Sequence, residues 1–147
     1  MADPSSNDGR FYHRLVITSA RARWLADDLS QSAAGVTTAQ AALLYFLAQS
    51  PGATQREAGD ALAVTEASAG EMIAKLIGHG LVRRERAKSD GRAWSLDLTS
   101  EGQQAVLNLE SRRSALNERL LAGESDETIQ IVEAFLDRLS ERIGRPD

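Results

Sequence analysis

Apolar residues recur at helical spacing along most of this chain, and the pattern turns to alternation in one short region. Residues 10–31 carry Phe11, Leu15, Val16, Ala20, Trp24, Leu25 and Leu29 close to a 3.6-residue period, which predicts a first helix. Thr37 followed three residues later by Gln40 has the form of a capping box, in which each side chain satisfies the other residue's backbone N–H. It predicts a second helix through about Gln49, stopped by "SPG" at 50–52. Thr54 with Glu57 repeats the device and opens a short third helix through Leu62. Thr65 is placed to cap a fourth. Its apolar positions Ala69, Met72, Ile73, Leu76 and Ile77 follow i, i+3, i+4, i+7, i+8, with Gly80 as the left-handed stop.

Two strand-like runs come next. One begins at Leu81-Val82, and the other alternates Trp94, Leu96 and Leu98 with Ser95 and Asp97. Asp90-Gly91 between them is a hairpin-turn signal. Ser100 with Gln103 predicts a third capping box, at the start of a long helix to Leu121. "AGESD" breaks that helix, and Ser125 caps a last one. There Ile129, Val132, Leu136, Leu139 and Ile143 are spaced 3-4-3-4, a narrow seam suited to packing between helices, including helices of two chains. The expected fold class is mostly α with a small β-hairpin wing.

A length of 147 residues with 42% hydrophobic content suits one domain with a real core, here expected over 10–143. The polar start, residues 1–9, reads as a disordered arm rather than a secretion signal. No apolar run approaches the roughly 18–20 residues of a membrane span, so no membrane partner is expected and cytoplasmic residence is. Cysteine is absent, which excludes disulfides, thiolate metal sites and thiol redox sensing. Two histidines, His13 and His79, are too few for a zinc site without several carboxylates, and no cofactor is expected. An enzyme lacks its parts: there is no glycine-rich phosphate loop and no His paired with a carboxylate in a known motif.

Charge sharpens the picture. The chain carries a formal net −4, yet Arg83, Arg84, Arg86, Lys88 and Arg92 stand against only Glu85 and Asp90 within ten residues. That segment is the expected hairpin. Helix, three-residue turn, helix and basic hairpin is the order of a winged helix-turn-helix. In such a module the second helix enters the major groove and the wing reaches phosphates or the minor groove. Positive charge is local because the DNA contact is local.

With these residues on the page, the chain resembles the MarR family (multiple antibiotic resistance regulators). Thr37 and Gln40 match the opening of the family's second helix, with Leu44 as a core position. "SPGATQREAGDALAVT" resembles its third helix and turn, although Ala58-Gly59 replaces the usual Leu-Ala. "LIGHGLVRR" resembles the end of the recognition helix. "SDGRAWSLDLTSEG" resembles an Asp-x-Arg wing tip followed by a strand ending Leu-Thr-x-x-Gly. The resemblance implies a homodimer held by helical regions at 10–35 and 103–143, with residues 36–102 as the DNA-binding module. It also implies a pseudo-palindromic operator on double-stranded DNA, repression, and release by a small aromatic or lipophilic effector.

Candidate DNA contacts follow. Arg92 matches the wing-tip Arg expected in the minor groove, where negative potential attracts it. Asp90 orients the wing. Arg84 is expected either at DNA or in structural pairing near the wing base. Arg86 and Lys88 would contact phosphates, giving affinity without sequence choice. On the fourth helix, Glu66, Ala67, Ser68, Gly70, Glu71, Ala74 and Lys75 are expected to face outward. Ser68 is the candidate polar contact, and Gly70 a candidate site of close approach to the DNA backbone. Glu71 either accepts from a cytosine N4 or, the favoured reading, pairs with Lys75 at i, i+4. Tyr12, His13, Trp24, Tyr45 and Phe46 lie on the helices that would border the effector pocket. Aromatics at helical spacing are more often core or dimer packing, and His13 more often a solvated residue, than parts of a pocket. The competing functional reading is a winged-helix protein–protein adaptor that kept the dimer and lost sequence-specific DNA binding.

One outcome rests on sequence alone. Arg92→Ala is expected to weaken operator binding by about 1–3 kcal/mol while helix content stays unchanged. Unaltered affinity at physiological salt, measured by a binding isotherm, would contradict the wing assignment.

Overall fold

A computed structural model describes residues 9–86 and 94–144. The expected arm, apart from Gly9, and the Asp90-Gly91 turn lie outside the described residues. The elements run α1 Arg10–Ala34, α2 Thr38–Gln49, α3 Gln55–Leu62, α4 Glu66–Gly78, β1 Val82–Arg86, β2 Trp94–Leu98, α5 Ser100–Leu121 and α6 Asp126–Ile143. This is the mostly helical fold with a hairpin that the periodicity predicts.

The starts of the helices follow from their caps. Thr37 accepts from the backbone N–H of Gln40 while the Gln40 side chain accepts from that of Thr37, and Thr54 and Glu57 do the same at α3. Hydrogen bonds from Thr54 hold the Glu57 carboxyl below its ordinary carboxylate value, so it stays the charged acceptor the cap requires. Thr65 and Ser125 cap α4 and α6 through the N–H groups of Ser68 and Thr128. α1 runs three residues past the expected end and stops where Gly35 takes a left-handed φ of 65° and donates back to Gln31 and Ser30.

Contacts divide the chain into two compact units, one ending at Arg112 and the other beginning at Arg113, so α5 contributes to both. The core belongs to the first. Leu43, Leu44 and Leu47 of α2, Ile73 and Leu76 of α4, Leu96 of β2 and Leu109 of α5 are at most 1% exposed. Each such burial is worth roughly 1.5–3 kcal/mol before entropy is counted. β1 and β2 pair antiparallel, with Val82 opposite Leu98 and Arg86 opposite Trp94. Ala53, just after the Pro51-Gly52 turn, adds a bridge on the far side of β2: Leu96 donates to its carbonyl at 2.8 Å and Gly52 donates to the Leu96 carbonyl at 3.0 Å.

The start of α5 corrects the sequence reading. Ser100 and Gln103 form no capping box. Thr99 caps instead, its Oγ1 accepting from the N–H of Gly102 at 3.0 Å. Thr99 also donates from Oγ1 to the Gly80 carbonyl at 2.6 Å and from its backbone N–H to the Leu81 carbonyl at 3.1 Å. One threonine thereby ties the corner after α4 to the start of α5. Ser100 lies one residue too late to reach Gly80 and Leu81. Gly102 completes the corner, because a Cβ there would sit 2.0 Å from the Leu81 carbonyl oxygen.

The second unit holds the end of α5 and all of α6. A turn with Gly123 at φ 87° separates them. No residue of α6 is buried within the chain, and Ile131, Val132, Leu136 and Ile143 are between 47% and 68% exposed. In the first unit α1 behaves similarly toward its start, where Val16 and Ile17 are exposed. Its end, at Leu29, Ala33 and Ala34, packs on the core.

The corner yields a test. Gly102→Ala places a methyl against backbone that cannot rotate away, so stability should fall by about 1–3 kcal/mol or more. The denaturant midpoint should drop, and an unchanged midpoint would show that the corner yields without cost.

Candidate nucleic-acid interface

Helix α4, the expected recognition helix, is set by what precedes it. α3 ends at Leu62, and Ala63 then takes a left-handed backbone, φ 54°, that turns the chain within three residues. Val64 donates to the Gly59 carbonyl at 3.0 Å. Gly59 is buried at this crossing, where a Cβ would lie 3.3 Å from the Val64 oxygen. The Ala58-Gly59 pair thus allows a closer helix crossing than larger side chains would.

α4 buries Ala69, Ile73 and Leu76 and exposes Glu66, Ala67, Ser68, Glu71, Ala74 and Lys75. Ser68 sits in the first turn with its Oγ accepting from Thr65 Oγ1 at 2.9 Å. Its own hydroxyl proton therefore stays available to an outside acceptor.

Two expectations for this helix are corrected. Gly70 is not on the exposed face. It is half-buried against α3, and a Cβ there would lie 2.7 Å from Nε2 of Gln55. The 100° step per residue turns position 70 toward α3 while positions 67, 71 and 74 stay outside. Glu71 and Lys75 form no ion pair among the described residues. An exposed i, i+4 pair gains only a few tenths of a kcal/mol, against the entropy of ordering two long side chains. The reading face therefore presents one cation and one carboxylate separately.

Alternation on the hairpin sorts its arginines. Arg84 and Arg86 share a face with buried Val82 and stand opposite Leu96 and Trp94; Arg83 and Glu85 occupy the other face. Arg83 pairs with Glu85 at 3.4 Å, with both side chains more than half exposed, so the pair is weak. The Arg86 guanidinium lies 5.0 Å from the centroid of the Trp94 ring, a cation–π arrangement worth about 0.5–1 kcal/mol at an exposed site. Arg84 donates from Nη2 to Gln55 Oε1 at 3.2 Å, which is the structural pairing at the wing base. Gln55 in turn donates from Nε2 to the Glu66 carbonyl at 3.1 Å. Lys88, Asp90 and Arg92 lie outside the described residues.

Between α3, α4 and the wing base lies a cleft of about 350 Å³, lined by Thr54, Gln55, Arg56, Glu66, Arg84, Trp94 and Leu96. Sequence reasoning missed Gln55 and Trp94 here. Each reads as an ordinary helix or strand residue until a partner distant in sequence is placed beside it.

The expected effector residues are not gathered around a cleft within one chain. Tyr12 and Trp24 are 71% and 70% exposed on α1, His13 is exposed, and Tyr45 and Phe46 pack partly buried against the core. A cleft of about 450 Å³ between α2, the hairpin and α5 is lined by Leu47, Arg83, Asp97, Leu98 and Leu107 among others, and by none of those five. Among the described residues no group of three or more His, Cys, Asp or Glu side chains is placed to hold a metal ion, and no helix is long and apolar enough to cross a membrane.

The model of the MarR family matches residues 34–93, the stretch that holds α2, α3, α4 and β1 and ends just before β2. The transcriptional regulator HosA of Escherichia coli O157:H7 is 30% identical over 106 residues, covering 69% of this chain and 78% of HosA. Streptococcus pneumoniae FabT, solved in complex with DNA, shares the fold with a TM-score of 0.81 at 18% identity, over 91% of this chain and 95% of that one. The PcaV transcriptional regulator of Streptomyces coelicolor, solved in complex with its natural ligand, has a TM-score of 0.68 at 24% identity, over 96% of each chain.

Proposed function

This chain belongs to the MarR family of transcriptional regulators, and from that premise we propose that it binds operator DNA as a homodimer, represses transcription, and releases DNA when a small organic effector binds. The observation that carries the reading is a single compact unit presenting both halves of a DNA reader. One half is the exposed polar face of α4 with Ser68 and Lys75; the other is a hairpin strand with Arg84 and Arg86 on one face. The solved complex of FabT with DNA supports this by likeness of fold.

Dimerisation is supported by the apolar surface that one chain leaves uncovered, on α6 and the first half of α1. Burying such side chains against a second copy returns roughly 1.5–3 kcal/mol apiece. A two-fold dimer places two α4 helices on successive major grooves, so the operator should be a pseudo-palindrome. The effector is proposed to be aromatic or lipophilic and to meet Tyr12, His13, Trp24 and Tyr45 of α1 and α2. The complex of PcaV with its natural ligand supports an effector by likeness of fold. Cytoplasmic residence follows from a role on DNA, and no catalytic role is proposed.

One observation favours a second reading, a protein–protein adaptor. Glu71 puts a carboxylate without an ion-pair partner among the described residues on the face that would meet phosphates. Glu71→Gln separates the readings. Removing that charge should raise affinity for selected and random duplexes alike, since phosphate attraction carries no sequence information. If affinity for the selected duplex falls instead and preference relaxes at one base pair per half-site, Glu71 reads a cytosine, a contact worth about 1–3 kcal/mol. Binding isotherms for both proteins at one salt concentration measure this, and no binding by either would favour the adaptor.

A further inference from the structure

We propose that Gln55 is a positioning residue of the DNA reader: its amide fastens the wing base to the first turn of the recognition helix, and Gly70 is glycine so that this amide can sit there. The proposal rests on the DNA-binding reading above and adds to it a device that sets how far apart helix and wing are held.

One side chain reaches three elements. Gln55 is the first residue of α3. Its Nε2 donates to the Glu66 carbonyl of α4 at 3.1 Å, and its Oε1 accepts from Arg84 of β1 at 3.2 Å. An amide of this length supplies a donor and an acceptor on one rigid planar group. A carboxylate would lose the bond to the carbonyl, and an alkyl chain both. The seat is equally particular. A Cβ on residue 70 would lie 2.7 Å from Nε2 and 3.3 Å from Cδ of Gln55, so the amide would have to move off its seat. A glycine within a helix costs roughly 1 kcal/mol relative to alanine. The seat for Gln55 gives a reason for bearing that cost at this position.

The consequence is geometric. Arg84 stands on the same strand face as Arg86, whose guanidinium lies over Trp94. Holding Arg84 against α3 and α4 fixes the tilt of the whole hairpin relative to the reading face. Gln55 touches no base in this account; it acts through Arg84 and the wing.

A double-mutant cycle on the full chain tests the idea, read as affinity for a duplex pool selected in vitro from random DNA. Gln55→Met keeps the volume and removes the amide, and should weaken binding about three- to tenfold, roughly the worth of one hydrogen bond at an exposed site. Gly70→Ala should weaken binding comparably in the parent protein and have no further effect in a Gln55→Ala background. Additive effects would mean that Gly70 acts on binding by a route that does not involve Gln55, and full binding by Gln55→Met would reduce Gln55 to a filler; either result overturns the proposal.

A readout without DNA accompanies the cycle. The chain has two tryptophans, Trp24 and Trp94. In Trp24→Phe protein, acrylamide quenching of Trp94, which lines the same cleft, should rise when Gln55→Met or Gly70→Ala is added. Should wild type bind no duplex at all, the DNA reading fails. The quenching then decides the clamp by itself, and unchanged quenching in both variants overturns it.

Discussion

The reader depends on one close approach: the carbonyl of Leu81 against the backbone at Gly102. Every other side chain at residue 102 would collide with that oxygen. Around it, Thr99 bonds to Gly80, Leu81 and Gly102 at once. This corner ends the recognition helix, starts the first strand and launches α5 from one place. The segment Leu98-Thr99-x-x-Gly102 is therefore a mechanical part, setting where the wing leaves the module. The wing base is then pinned a second time, from the opposite end of α3, by Gln55.

Charge works on top of that frame. The chain as a whole is acidic, and its concentrated positive segment begins on β1 and continues into the residues beyond it. On the described strand the arginines divide by face, and the face that carries Arg84 and Arg86 also carries the aromatic ring that orients one of them. An acidic remainder limits adhesion elsewhere and leaves the wing as the place where polyanions gain most. Glu71 stands exposed on α4 as a carboxylate, a charge that would repel a polyanion there.

The fold was legible because local signals agreed with one another. Thr37/Gln40 and Thr54/Glu57 form the capping boxes their spacing implies, and the alternation around Leu96 is the strand whose middle residue is fully buried. The cap at α5 was misassigned by one residue because Ser100 and Thr99 are chemically equivalent candidates. Only the tertiary position of Gly80 and Leu81 separates them. Gly70 and Gln55 were illegible for a related reason. They lie fifteen residues apart, on different helices, and nothing local says that one makes room for the other. The Glu71–Lys75 pair was expected from spacing alone, and spacing brings two exposed side chains near without making them meet. The aromatics of α1 illustrate a further limit: their periodicity shows which face is apolar, and nothing local says what covers that face.

The central claim is that local positive charge on a rigid winged module binds DNA. The salt dependence of that binding tests it most directly. Affinity for a random-sequence duplex should fall steeply and linearly in a plot of log K against log salt, with a slope of about −0.9 for each phosphate neutralised. Several phosphates per dimer are predicted. A flat line, or no binding at low salt, would contradict the account and leave the module as a surface for another protein.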